Sequence, residues 1–365
     1  MGRILQKGRL YGGLLLVHTM KKMKAAILYE QNKPLVIEEV DVPGLKEGQV
    51  LVRMAASGVC HSQLNEILGK KGPDKYLPHT LGHEGAGVVD DVGPGVTKVK
   101  KGDHVVLSWI KGKGINAEPP LYHNGKRRIN SGQLSTFNEY AVTAENRVTP
   151  IDERMPLDLA ALLGCAVSTG MGSIMNICRV GSGDSVAVFG VGGIGLSAVH
   201  AAAICGAAMV IAVDVKEEKL EKAKELGATH SVNAGKADAV RTVKDLTDGK
   251  GVDHAVESAG SIVTMEQAFQ SIRNNGGKAV IAGNLSFGQK ISIDPFALIC
   301  GKRIVGSWGG ETDPDRDIPR YVDLYLSGKL KLDRMLTHRF RLEQINDAFA
   351  ELEKGEVGRA IIDLT

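Results

Sequence analysis

Aromatic residues are scarce: Trp, Tyr and Phe together make up 4% of 365 residues. A base-stacking platform for single-stranded nucleic acid needs more than that. Charge of one sign is also lacking, since 45 Lys+Arg stand against 42 Asp+Glu for a net +3. That balance excludes a basic nucleic-acid surface. No apolar run reaches the roughly 18–20 residues of a membrane span. Cysteine is sparse and odd in number, at 60, 165, 178, 205 and 300. Such scatter is no secreted disulfide framework, and a reduced, cytoplasmic chain is expected. What remains is ordinary for a soluble globular protein: 43% hydrophobic, 24% charged. At about 100–200 residues per domain the length suits two domains.

Residues 1–22 are basic with a short apolar centre and read as a leader or appended segment before a clean start at Met23. From there to about residue 148 the text is strand-like. Ala25–Leu28, Leu35–Val40, Val50–Ala56, Gly85–Val92 and His104–Leu107 are separated by turn signals such as Gly93-Pro94-Gly95. From about residue 166 to 307 strands alternate with helices. Ser185–Gly190 and Met209–Val213 are strands, and Gly192–Cys205 and Glu217–Leu226 are helices. This alternation predicts an α/β unit with a parallel sheet. The remaining tail reads as helix with one terminal strand, Arg359–Asp363, packed back on the first region. The expected division is 23–166, 167–307 and 308–365, the last belonging with the first.

Val186–Gly195 reads VAVFGVGGIG, so Gly190, Gly192 and Gly195 form G-x-G-x-x-G, with Gly193 and Ile194 inside the loop. The motif alone is weak, but here an apolar strand precedes it and a helix follows. The glycines allow a tight turn, close approach of a pyrophosphate and close helix–strand packing. The helix N-terminus adds unpaired N–H donors. Asp214 lies 19 residues beyond Gly195, at the end of the next strand. A carboxylate there bonds both ribose hydroxyls and repels a 2′-phosphate, which favours NAD over NADP.

Cys60 stands in GVCHS, His83 in GHEG 23 residues later, and Cys165 in GCA just before the cofactor region. Two thiolates and an imidazole suit Zn²⁺ and leave a fourth position open for a reacting oxygen. A lone cysteine is more often a small buried hydrophobe, and a His beside a Glu a satisfied polar pair. Spacing alone leaves both readings open.

Taken together, GVCHS, GHEGAGVV, GDHVV, GCAVSTG and VFGVGGIGL resemble, in the same order, the zinc-dependent alcohol dehydrogenases of the medium-chain dehydrogenase/reductase superfamily. The similarity runs from about Met23 to Thr365. It implies a Rossmann doubly wound parallel sheet plus a mostly-β GroES-like catalytic domain. It also implies a homodimer or homotetramer and reversible oxidation of an alcohol by NAD. Cys60, His83 and Cys165 match the catalytic zinc ligands, and Glu84 an acid behind the metal that approaches it transiently. Ser62 matches the hydroxyl bonded to substrate. His61 and Arg359 match cations on the cofactor pyrophosphate, and Thr169 and Ile194 match residues beside the nicotinamide. Lys219 joins the cofactor contacts, and Trp109 and Phe137 fall where substrate-pocket side chains stand.

Three departures bear on function. Residues 110–140 hold no cysteine, so the four-thiolate structural zinc of the family is excluded there and one catalytic zinc per subunit is expected. Lys111–Ser131 must be held by other contacts. Gln63 replaces an acid that orients a ligand, and Asn65 replaces a relay histidine. Two other readings of the residues stay open: a zinc-free quinone or enoyl reductase on the same fold, and a non-catalytic NAD-binding protein.

Overall fold

In a computed structural model that describes residues 21–355 and 357–365, the chain forms three sheets. The six-stranded one is wholly parallel. Its spatial order is His230–Asn233, Met209–Asp214, Ser185–Phe189, His254–Glu257, Lys278–Ile281, Arg303–Gly306. The order reverses between Ser185–Phe189 and His254–Glu257, and that crevice is where doubly wound sheets bind their ligands. The central strands are buried on both faces, and their Val, Ile and Ala runs provide the apolar surface this requires. The strand His230–Asn233 and the helix Ala239–Asp245 were not anticipated from the sequence.

The first part of the chain builds two mostly antiparallel sheets. One runs His79–Thr80, Lys22–Leu28, Val36–Asp41, Tyr122–Asn124, Arg127–Ile129. The other runs Val148–Pro150, His104–Ser108, Glu84–Val92, Gln49–Val59, Ala360–Asp363, His338–Arg341, with Tyr140–Ala144 also paired to Gln49–Val59. The tail thus supplies two strands where one was expected. Residues 1–20 of the expected leader lie outside the described residues. The remainder of that segment is part of the fold: the first strand begins at Lys22, and Lys21 pairs with Asp90 at 2.6 Å. Among the described residues no single helix is long and apolar enough to cross a membrane.

Register explains how distant residues meet. Ser57 opposes Gly85, which sets the end of Gln49–Val59, and hence Cys60, beside His83 and Glu84. Val59 opposes Ala360, which sets Arg359 beside the same point. Glu84 opposes Ser108, which sets Trp109 there too.

The cysteine-free lobe is held by carboxylates. Glu145, 1% exposed, accepts the backbone N–H groups of Thr97 and Lys98 at 2.7 Å and of Ile115 at 2.8 Å. Asp315 accepts the N–H of Lys113 at 2.5 Å and pairs with Lys98. Burial raises the Glu145 pKa, but the three amides and Lys98 outweigh it and hold the carboxyl below its ordinary value. Its contribution is therefore present above the ordinary glutamate range and is lost as pH falls through the depressed folded value. Glu145→Gln is expected to cost about 2–3 kcal/mol at neutral pH. The gap from wild type should close as urea unfolding is repeated towards pH 3, and a gap that widens on acidification would refute the assignment.

Candidate active site

Cys60 ends a strand and caps the helix His61–Ile67, its Sγ accepting the Ser62 N–H at 3.5 Å. Cys165 stands at the start of the helix Ala166–Gly172. The ligand atoms of Cys60, His83, Glu84 and Cys165 all lie within 4.8 Å of one another. His83 Nε2 is 3.2 Å from Cys165 Sγ. The Cys165 S–H, with His83 and Arg359, pulls the Cys60 pKa well down, while the bond to Cys60 and burial push Cys165 up. A divalent cation would favour both sulfurs as thiolates.

Glu84 is fully buried. Its Oε1 accepts Arg359 Nη2 at 2.6 Å, and its Oε2 has no partner. Gly58 makes room for it, since a Cβ there would lie 2.5 Å from Glu84 Cδ. Gln63, 2% exposed, hydrogen-bonds His83 Nδ1 and keeps its own Oε1 unpartnered. With His83 ligating through Nε2, Nδ1 carries hydrogen, and a half-turn of the Gln63 amide would bring its carbonyl oxygen to accept it in place of the nitrogen that stands there. The neutral amide thus orients the ring as the family's acid would, without its charge.

The glycine loop follows Phe189 at the crevice. Gly190 has φ +83°, the left-handed region that favours glycine. A Cβ on Gly195 would fall 1.9 Å from the Gly190 carbonyl oxygen, whereas one on Gly192 would meet only open space. This is a closed turn with an open mouth at the N-terminus of the helix Gly193–Ile204. Asp214 Oδ2 accepts the Val191 N–H at 2.9 Å, and Oδ1 accepts those of Val215 and Lys216. The carboxylate therefore braces the loop. Gly170 packs on the Ile194 carbonyl, so the Cys165 helix rests directly on the cofactor helix.

Cations gather between the two centres. Arg359 lies with its stem against Gly193, where a Cβ would be 2.4 Å from Arg359 Cδ. One end of its guanidinium holds Glu84 and the Val59 carbonyl, and its Nε is unpartnered. His61 is exposed, with the positive charges of Lys219, Arg359 and Lys70 nearby.

Not every expected site residue is free to act. Phe137, expected against the substrate, is fully buried in the apolar core and packs edge-on against Phe349 of the C-terminal helix. Its ring is part of the core of the catalytic domain. The Thr169 hydroxyl is bonded to the Cys165 carbonyl at 2.8 Å, so it fixes the ligand helix. Trp109 does stand at the centre: its backbone N–H bonds the His83 carbonyl, and its ring meets the exposed Trp308 at 4.9 Å. Trp308 sits in no motif that would mark it in the sequence.

This geometry joins a dinucleotide-type loop to a metal-type ligand set in a two-domain oxidoreductase. Residues 46–153 match the alcohol dehydrogenase GroES-like domain and residues 193–327 the zinc-binding dehydrogenase family. Alcohol dehydrogenase class-3 of Drosophila melanogaster is 36% identical, over 93% of this chain and 97% of its own length. The NDMA-dependent alcohol dehydrogenase of Amycolatopsis methanolica is 38% identical, over 93% and 98%. The crystal structure of an alcohol dehydrogenase zinc-binding domain protein from Burkholderia ambifaria superposes with a TM-score of 0.89 at 33% identity, covering 95% of this chain and 100% of that one. The chain belongs to the zinc-type alcohol dehydrogenases of the medium-chain dehydrogenase/reductase superfamily. It is an oxidoreductase that oxidises alcohols.

Proposed function

We propose that this enzyme interconverts a small-molecule alcohol and its carbonyl product with NAD as the hydride carrier and one catalytic zinc ion at Cys60, His83 and Cys165. The carrying observation is the convergence of two sulfurs, one imidazole and a carboxylate oxygen of Glu84 within 4.8 Å. This donor set fits zinc better than a hard oxygen-seeking cation. When bound, zinc supplies Lewis acidity to the substrate oxygen, and NAD supplies the hydride acceptor. The chain's own residues do the rest. Ser62 Oγ accepts the substrate hydroxyl's hydrogen bond and, as it takes that proton, passes its own onward. Asn65 has no titratable group, so the proton leaves through solvent at the mouth. Gln63 holds the His83 ring in one tautomer, and Arg359 Nε meets a cofactor phosphate. Trp109 and Trp308 orient the substrate carbon chain.

The reading favours NAD because Asp214 presents a carboxylate where a 2′-phosphate would lie. Asp214→Gly is expected to weaken NAD about tenfold or more, a loss of about 1.4 kcal/mol, and to relax rejection of NADP. Steady-state kinetics with both cofactors test this, and a wild-type preference for NADP would overturn it. Thiolate ligands suit a reducing cytoplasm. The parallel sheet ends on Arg303–Gly306 beside the exposed Phe296 and Ile299, which suits a homodimer or a tetramer built as a dimer of dimers.

A further inference from the structure

A second cluster of ligand-type side chains lies outside the catalytic centre. The ligand atoms of Glu66, Asp74 and His79 fall within 4.8 Å of one another. His79 is 5% exposed. Its Nδ1 is 3.0 Å from the Thr80 carbonyl oxygen, which can only accept, so Nδ1 carries hydrogen. In the neutral ring Nε2 is then a lone pair. Facing that lone pair are two carboxylate oxygens, Asp74 Oδ2 at 2.7 Å and Glu66 Oε1 at 3.8 Å. Three electron-rich atoms turned towards one sheltered point are stable only around a positive charge. A proton on Nε2 would hydrogen-bond Asp74 and reach Glu66 by charge alone, because 3.8 Å is too long for a hydrogen bond. A divalent cation serves all three.

The surroundings are organised for it. An imidazole whose other nitrogen donates to a backbone carbonyl is the usual arrangement of a metal-ligating histidine. Asp74 Oδ1 accepts the Tyr76 N–H at 2.8 Å, which turns Oδ2 inward. Glu66 Oε2 takes Lys71 Nζ at 3.0 Å, which leaves Oε1 for the cluster. Glu66 lies on the helix that begins beside Cys60, and His79 lies four residues before His83. A cation here would tie that helix, the irregular segment 68–78 and the strand leading to His83 into one unit.

We propose that Glu66, Asp74 and His79 form a second site for a zinc-type divalent cation, ligated by nitrogen and oxygen, that braces the catalytic ligands from outside. The count of one metal per subunit then covers only the thiolate centre.

Metal retained per chain after saturation with zinc and gel filtration tests this. Wild type is expected to keep two equivalents, and Asp74→Asn and His79→Ala one each. Cobalt separates the sites, since only a thiolate-ligated ion gives sulfur-to-metal charge-transfer absorption. A second cobalt equivalent should be retained without a rise in that band and be absent from Asp74→Asn, a near-isosteric change. Wild type saturating at one equivalent, with the band complete at that point, would overturn the proposal and assign a proton to His79. This result needs no variant to fold. A chain without the band that still keeps the second ion would refute the catalytic zinc while supporting this site.

Discussion

Cys60→Ala is expected to remove the metal of the thiolate centre and lower turnover by about a thousandfold while NAD still binds. Cys60 supplies one of two sulfurs within 4.8 Å of His83 and Glu84. Without it the remaining donors are one buried thiol, one imidazole and a carboxylate committed to Arg359. Only Glu84 Oε1 is so committed, but losing one of the two thiolates breaks the preorganised sulfur-rich set that this centre offers zinc, and the ion there is no longer retained. Losing a Lewis acid worth several kcal/mol of transition-state stabilisation corresponds to about a thousandfold at about 1.4 kcal/mol per decade. Cofactor affinity is separable, because the glycine loop, Asp214 and the helix Gly193–Ile204 take none of their backbone geometry from Cys60. Were Cys60 merely a packing residue, its removal would cost about 1 kcal/mol of stability and leave turnover unchanged. Elemental analysis, NADH formation from an alcohol panel and NAD titration by tryptophan fluorescence distinguish the outcomes. Full turnover with no metal retained would sink the reading.

The parts that could be read in the chain are those whose physics is local. Phe189, Gly190 and Gly195 announce a strand, a tight turn and a closely packed helix within a few residues, and the turn forms as the spacing demands. Strands in the first region also emerge near their expected bounds, because alternation and turn residues act over short distances. Residues whose roles depend on distant partners were misread or missed. Phe137 looked like pocket lining until Phe349, over 200 residues away, claimed its ring for the core. Glu145 carries no local signal, yet it satisfies amides from two other segments. The sequence could mark Gln63 as a departure, but only the fold shows it against His83. Asp214 was placed by its spacing, while its bond to Val191 N–H needed the folded loop.

Arg359 links the two halves of the chemistry, and its removal should register in both. It is 4% exposed, Glu84 is fully buried, and they are joined at 2.6 Å. Truncating one member of a buried pair leaves the other charged and uncompensated, which typically costs about 3–5 kcal/mol. Arg359→Leu is therefore expected to lose about that much stability in denaturant unfolding. It should also weaken NAD, because the unpartnered Nε beside Gly193 is the donor facing the cofactor loop. The double variant Arg359→Leu/Glu84→Leu separates the two effects. Replacing both charges by apolar groups removes the uncompensated carboxylate, so much of the stability should return. NAD affinity should not return, since no donor has been restored. Recovery of both together would mean that Arg359 serves the cofactor only by holding the fold. Recovery of neither would mean that the pair contributes packing rather than charge compensation.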